Sequence, residues 1–106
     1  MQNQNEIKKF INMAKNKLPK EEPMNACELV YTSQLAKMCG FQRENVINSK
    51  GLFPALRVIT NKTFSKDDIK LIQKGFKKRF NRVLLFTEHK EGNGTLSIGY
   101  FAKQAV

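Results

Sequence analysis

Basic side chains are concentrated in one short stretch of this 106-residue chain. Residues 54–106 carry 11 Lys/Arg against 4 Asp/Glu, whereas residues 1–53 carry 8 against 5. Ammonium and guanidinium groups bind phosphate, so such a cluster indicates a polyanionic partner, of which nucleic acid is the first candidate. The cluster lies between residues 62 and 82 and consists of Lys62, Lys66, Lys70, Lys74, Lys77, Lys78, Arg79 and Arg82. Asp67 and Asp68 are the only acidic residues in this stretch.

The cluster falls on a segment that predicts an amphipathic helix over residues 65–80. Four apolar residues share one face of this helix, and Ser65 is the predicted N-cap. The predicted phosphate contacts lie beside and opposite that face or just after the helix: Lys66, Lys70, Lys74, Lys77, Lys78, Arg79 and Arg82. Lysine is a mobile point charge, so this pattern predicts sequence-independent contacts with phosphate. The same pattern also fits a solvated face that only keeps a small protein soluble.

A second segment, residues 32–51, resembles the helix-turn-helix of DNA-binding regulators over about a fifth of the chain. Ala36, Gly40 and Val46 match the small residue, the turn glycine and the apolar anchor of that family. The resemblance implies a recognition helix after Gly40 that enters the major groove. Its outward side chains, of types that bond base edges, would be Gln42, Arg43, Asn45 and Asn48.

The segment departs from the family pattern at two positions. Ser49 occupies a position that is usually apolar, and Ile47 would project outward. No wing hairpin follows directly. An ordinary helix that ends at a glycine cap and continues as a loop also fits these residues.

The remaining elements predict an α+β fold in a single domain spanning residues 1–106. Apolar residues at helical spacing predict a first helix over residues 3–18. A second helix is predicted over residues 25–39, beginning with the capping pair Asn25 and Glu28; two short helices over the same residues are the alternative. A three-stranded sheet is expected from about 55–60, 82–89 and 95–102, in the order β-α-β-β around the basic helix. Leu96 and Ile98 are expected to face Leu84 and Phe86 across the last hairpin.

Catalytic and metal-binding patterns do not emerge from the sequence. His89 is the only histidine, and alternating strand geometry separates it from Glu88. Cys27 and Cys39 lack a CxxC or Cys/His context, so reduced thiols in a cytoplasmic protein are expected. We therefore expect a protein without enzymatic activity, without a cofactor and without a bound metal ion. No apolar run approaches the roughly 18 residues of a membrane span, so no membrane partner is expected.

Together these patterns predict a small basic non-enzymatic nucleic-acid-binding protein, with DNA preferred over RNA as the target. Lys outnumbers Arg 15 to 4, a bias typical of AT-rich genomes, which fits a regulator from a phage or other mobile element. The alternative is a protein-binding inhibitor or adaptor that occupies an acidic protein surface. Such a protein would block a host or defence enzyme, with a nucleoprotein as one such target.

Overall fold

The computed structural model describes residues 20–47, 54–89 and 96–106. Within these ranges the protein has α+β architecture, with two helices and a five-stranded antiparallel sheet. The predicted fold class is confirmed, whereas the predicted three-stranded sheet is too small. The elements in chain order are β1 (Glu21–Glu22), α1 (Ala26–Met38), β2 (Gln42–Ile47), β3 (Pro54–Thr60), α2 (Lys66–Phe80), β4 (Leu84–His89) and β5 (Ser97–Gln104).

β5 is the central strand of the sheet. One of its edges pairs with β4, and the other pairs with β3 and, further along, with β1. β2 pairs with β3 and forms the opposite edge of the sheet from β4. The predicted pairing across the last hairpin is wrong in register: Phe86 pairs with Phe101, and Ile98 pairs with His89 on the other face.

The two helices pack on one face of this sheet, and the hydrophobic core lies between the helices and the sheet. The core is lined from the sheet by Leu56, Val58, Leu84 and Phe101, and from α2 by Ile72 and Phe76 among others. α1 lies over β2 and β3, and α2 packs against α1 and β4. The helices therefore form a layer of their own, which fixes the direction in which the outer face of α2 points.

Local chemistry explains why α1 begins and ends where it does. Asn25 Oδ1 accepts the Glu28 amide at 2.9 Å, and Glu28 Oε1 accepts the Asn25 amide at 2.8 Å. This is the predicted capping box, which satisfies two amides that the helix leaves unpaired. The helix stops at Gly40, whose φ of 83° favours glycine. Residues 26–38 form one helix and not two, and Thr32, which could have capped a second helix, donates its Oγ1 hydroxyl to the Glu28 carbonyl of the same helix at 2.8 Å.

α2 is held by different means. Ser65 is at the N-cap position, as predicted, but its side chain makes no capping hydrogen bond. Asp67 and Asp68 lie in the first turn, where carboxylates interact favourably with the helix dipole. The helix ends at Asn81 in the left-handed conformation, with φ of 55°.

The predicted second helix of the helix-turn-helix is wrong. Residues 42–47 form β2, an edge strand whose backbone pairs with β3 from Gln42↔Ile59 to Ile47↔Pro54. The β-branched Val46 and Ile47 favour this extended conformation, and pairing with β3 supplies backbone hydrogen bonds that a helix would otherwise have to supply. Asn48 and residues 49–51 lie outside the described residues, as do the predicted helix over 3–18 and the predicted turn between β4 and β5.

Candidate nucleic-acid interface

The outer side of α2 carries a group of exposed lysines, which we call the lysine ridge: Lys66, Lys70, Lys74, Lys77 and Lys78. At about 100° per residue, the five side chains fall within an arc of roughly 120°, and they extend over about 18 Å of helix axis. None of the five forms a salt bridge within the described parts of the chain. The ridge therefore presents five ammonium groups without a carboxylate partner among the described side chains, and Asp67 in the first turn is the one acidic side chain of α2 in the same arc.

Contacts on the inner side of α2 fix the orientation of this ridge. Ile72 and Phe76 are fully buried in the core. Gln73 Nε2 donates to the Leu84 carbonyl of β4 at 3.0 Å. On the side of α2 that meets α1, a Cβ atom built on Gly75 would lie 2.7 Å from Leu35 Cδ1, so glycine allows the two helices to approach closely. With both sides of α2 in contact, its lysines can only point outward.

Arg79 belongs to the same helix but faces a different feature. Its exposed guanidinium lies over the Tyr31 ring of α1, with Cζ 5.9 Å from the ring centroid. The Tyr31 ring also contacts Phe80 edge-on, at 5.5 Å between centroids. These residues line an open groove of about 350 Å³ between the two helices. We call it the interhelical groove; its lining is Ala26, Cys27, Val30, Tyr31, Gln34, Arg79 and Phe80.

Arg82, which the sequence grouped with the ridge, is engaged inside the fold. Its Nη2 donates to the Gln104 carbonyl at 2.7 Å and forms an ion pair with Glu22. The hydrogen bond from Arg82 lowers the pKa of the Glu22 carboxyl below its ordinary value, against the opposing effect of burial. Arg82 thus ties β1 to the end of β5, and its charge is matched within the chain.

Two further cations are also matched by carboxylates. Lys103 Nζ lies 2.8 and 3.0 Å from the two carboxylate oxygens of Glu28, and both residues are buried. Arg57 pairs with Glu44 across β2 and β3, and the hydrogen bonds that its guanidinium donates to Glu44 and then to Tyr100 raise its pKa. Tyr100 lies on the sheet face opposite the helices, where its ring meets His89 at 4.8 Å. Among the described residues, Arg57, Arg82 and Lys103 thus have carboxylate partners, whereas the five lysines of the ridge have none.

The predicted base-reading residues occupy the edge strand β2 and not a helix. Gln42 points to one face of the sheet, and Arg43 and Asn45 point to the other. Arg43 Nη1 donates to the Phe41 carbonyl at 2.9 Å. The structure therefore does not bring these three residues together with the lysine ridge as one surface, and Asn48 lies outside the described residues.

Reactive groups offer little chemistry in the described ranges. Cys39 is half-buried with its Sγ 4.0 Å from the Asp68 carbonyl, and burial followed by the charge of Asp68 raises its thiol pKa, which disfavours the nucleophilic thiolate. No group of three His, Cys, Asp or Glu residues in residues 20–47, 54–89 and 96–106 is placed to hold a metal ion. Neither described helix is long and apolar enough to cross a membrane.

Sequence reasoning missed the interhelical groove. Tyr31 and Arg79 are far apart in sequence, and their meeting depends on the close contact of α1 and α2 at Gly75. Comparisons of the chain with protein families, with curated protein sequences and with solved structures find no match.

Proposed function

We propose that this protein is a non-enzymatic nucleic-acid-binding protein whose lysine ridge contacts the phosphate backbone. The observation that carries the proposal is that five exposed lysines on one helix have no carboxylate partner in the described chain. A small domain needs far less net charge than +10 for solubility. Leaving so much charge unneutralised on one face is typical of a surface that meets a polyanion.

The dimensions of the ridge support the same proposal. Phosphates along one strand of a duplex repeat every 3.4 Å or so, and the ridge of roughly 18 Å is therefore as long as about five phosphates. Lysine ammonium groups pair with phosphate as point charges and carry no fixed geometry for reading bases. The expected binding is consequently strong at low salt, weak at high salt and tolerant of sequence.

The test compares two triple variants with equal net charge. The first removes three ridge lysines (K70Q, K74Q and K77Q), and the second removes three exposed lysines elsewhere (K20Q, K37Q and K62Q). Binding to a random-sequence duplex and to a single strand is measured by anisotropy at several salt concentrations. The slope of log K against log salt is negative, and each lost phosphate contact reduces its magnitude by about 0.7–0.9. The slope of the ridge variant should therefore be smaller in magnitude by about 2 to 3.

The control variant distinguishes a contact surface from diffuse attraction. We expect it to keep a slope close to that of the unmodified protein, because its three lysines lie outside the ridge. Equal loss in both variants would show that net charge alone attracts the nucleic acid, and absence of salt-dependent binding would refute the proposal.

A protein partner is the second candidate, and β2 is the observation that favours it. β2 is an edge strand whose residues are almost all exposed, including Ile47 at 54%. Unpaired edge strands can accept a strand from another protein. In this case the purified protein should carry a second protein in stoichiometric amount, with no excess absorbance at 260 nm. The I47K variant should release this second protein, whereas the ridge variant should retain it.

A further inference from the structure

The interhelical groove combines three kinds of group that rarely share one surface. The Tyr31 ring is part of its lining, and Phe80 packs edge-on against this ring. The Arg79 guanidinium lies over that ring, with its Cζ atom 5.9 Å from the ring centroid, which is the outer limit of a cation–π contact. Gln34, exposed on α1, brings an amide to the rim. The groove thus has an aromatic plane, a planar cation and a hydrogen-bonding group, and its lining contains no carboxylate.

We infer that the interhelical groove holds an unpaired nucleobase of a single-stranded nucleic acid whose phosphates lie on the lysine ridge. The inference rests on the proposed function and names its substrate class. Bases stack on tyrosine rings and on guanidinium planes, and an amide can both donate to and accept from a base edge. At about 350 Å³ the groove has the volume of a small-ligand site.

The position of the groove on α2 connects the base to the ridge. Arg79 follows Lys78 directly in the chain, and Lys78 is the ridge lysine at the C-terminal end of the helix. Arg79 lies about 100° around the helix from Lys78, and a strand that leaves the ridge at Lys78 meets no acidic side chain of α2 on the way to the groove, because Asp67 and Asp68 lie in the first turn at the other end. Bases in a duplex are paired and stacked, so only a single-stranded or unpaired nucleotide can place its base here.

A protein side chain is the competing occupant, and charge argues against it as the first choice. An apolar side chain would use Val30 and Tyr31 but would leave the Arg79 guanidinium and the Gln34 amide without a partner. A base with its phosphate uses all of them. The favoured occupant is therefore the nucleotide, and a protein ligand becomes one outcome of the experiment.

Tyrosine fluorescence provides a direct test, because the chain contains two tyrosines and no tryptophan. In the Y100F variant, Tyr31 is the sole tyrosine. This variant is titrated with oligo-dT of about ten nucleotides, a length within the usual site sizes of single-strand binders. A parallel titration uses an abasic strand of equal length, which has the same phosphates without bases. We expect oligo-dT to quench the Tyr31 emission and the abasic strand to leave it unchanged.

Affinities measured with the same two strands separate the groove from the ridge. Stacking of one base corresponds to about 5- to 150-fold in affinity, so Y31L should weaken oligo-dT binding by that factor and leave abasic binding unchanged. Y31F should bind as the unmodified protein does. R79Q, at an exposed position, should also weaken oligo-dT more than the abasic strand, and it keeps the contact between Tyr31 and Phe80.

The outcomes that overturn the inference differ from those that overturn the proposed function. If Y31L and R79Q leave oligo-dT affinity unchanged while salt-dependent binding persists, the ridge binds and the groove does not. If Y31L instead releases a co-purified protein, the groove holds a protein side chain. If neither strand binds in a salt-dependent manner, the proposed function itself is wrong.

Discussion

The two helices are similar in length, 13 residues in α1 and 15 in α2, yet they place their charges in opposite directions. α1 turns Glu28 inward, where it is buried and paired with Lys103. α2 turns five lysines outward and buries only apolar side chains. The charge of Glu28 is therefore paired within the fold, whereas the five lysines of α2 face solvent without a carboxylate partner in the described part of the chain.

The contrast between the two helices distinguishes charged side chains that are paired inside the fold from charged side chains that face solvent unpaired. A cation that meets a carboxylate inside the chain has its field cancelled locally and adds little attraction at a distance. A cation without such a partner keeps its full field toward solvent. The division holds only if the inward pair matters to stability and the outward lysines do not, so each half can be broken separately.

The largest effect is expected from breaking the inward pair. K103A leaves the buried Glu28 carboxylate without a cation beside it, with the Asn25 amide as its remaining hydrogen-bond partner, and should lower the free energy of unfolding by about 3–5 kcal/mol. K78A removes an exposed ridge lysine and should change it by no more than about 0.5 kcal/mol. Urea denaturation of the two variants measures both values. Comparable costs would mean that the lysine ridge is structural and would remove the contrast between the helices.

A double variant shows whether the loss comes from the unpaired charge. K103M together with E28Q removes both charges, keeps an amide at the capping position and should recover most of the lost stability. If the double variant is as unstable as K103A, the unpaired carboxylate is not the cause of the loss.

A smaller effect is expected at the helix N-termini. N25A removes the acceptor of the Glu28 amide in the capping box and should cost about 1 kcal/mol. S65A is the matched variant on α2, where the side chain makes no capping bond, and it should cost only a few tenths of a kcal/mol. Thermal or urea unfolding of the pair checks this order, and a larger loss in S65A would reverse it.

The smallest effect is a dependence on pH at the end of β1. Arg82 lowers the pKa of Glu22 in the folded protein, so the unfolded chain binds the proton more tightly. The stabilising contribution of Glu22 is therefore present above its ordinary value of 4.5 and is lost as the pH falls through the lower folded value. Unfolding of the unmodified protein and of E22Q should differ at pH 7 and converge in acid. A gap that widens in acid would contradict this assignment.

Sequence reasoning succeeded where local chemistry decides the structure. α2 was predictable because Ile72 and Phe76 recur at helical spacing while its lysines fall elsewhere on the helix. The start of α1 was predictable from Asn25 and Glu28, which bond to each other within one turn. The exposed ridge followed directly from the same periodicity.

Failures occurred where distant partners decide the structure. The buried stripe of α1 includes Glu28 and Thr32, which a pattern of apolar residues assigns to solvent. Residues 42–47 became a strand because β3 offers them a pairing edge. Arg82 and the ridge lysines look alike in sequence, and only the arrival of Glu22 and Gln104 from the far ends of the chain separates them.

The central position of β5 has a consequence for how this protein is made. β1, β3 and β4 all pair with β5, and all three leave the ribosome before it. A nascent chain that ends before Ser97 can form both helices and the β2–β3 pair, but Leu56 and Leu84 still lack Phe101 between them. We expect such arrested chains to be digested rapidly by protease and to engage chaperones. The sheet can be completed only when β5 is present, so the packing that fixes the lysine ridge in place depends on the last strand to be synthesised.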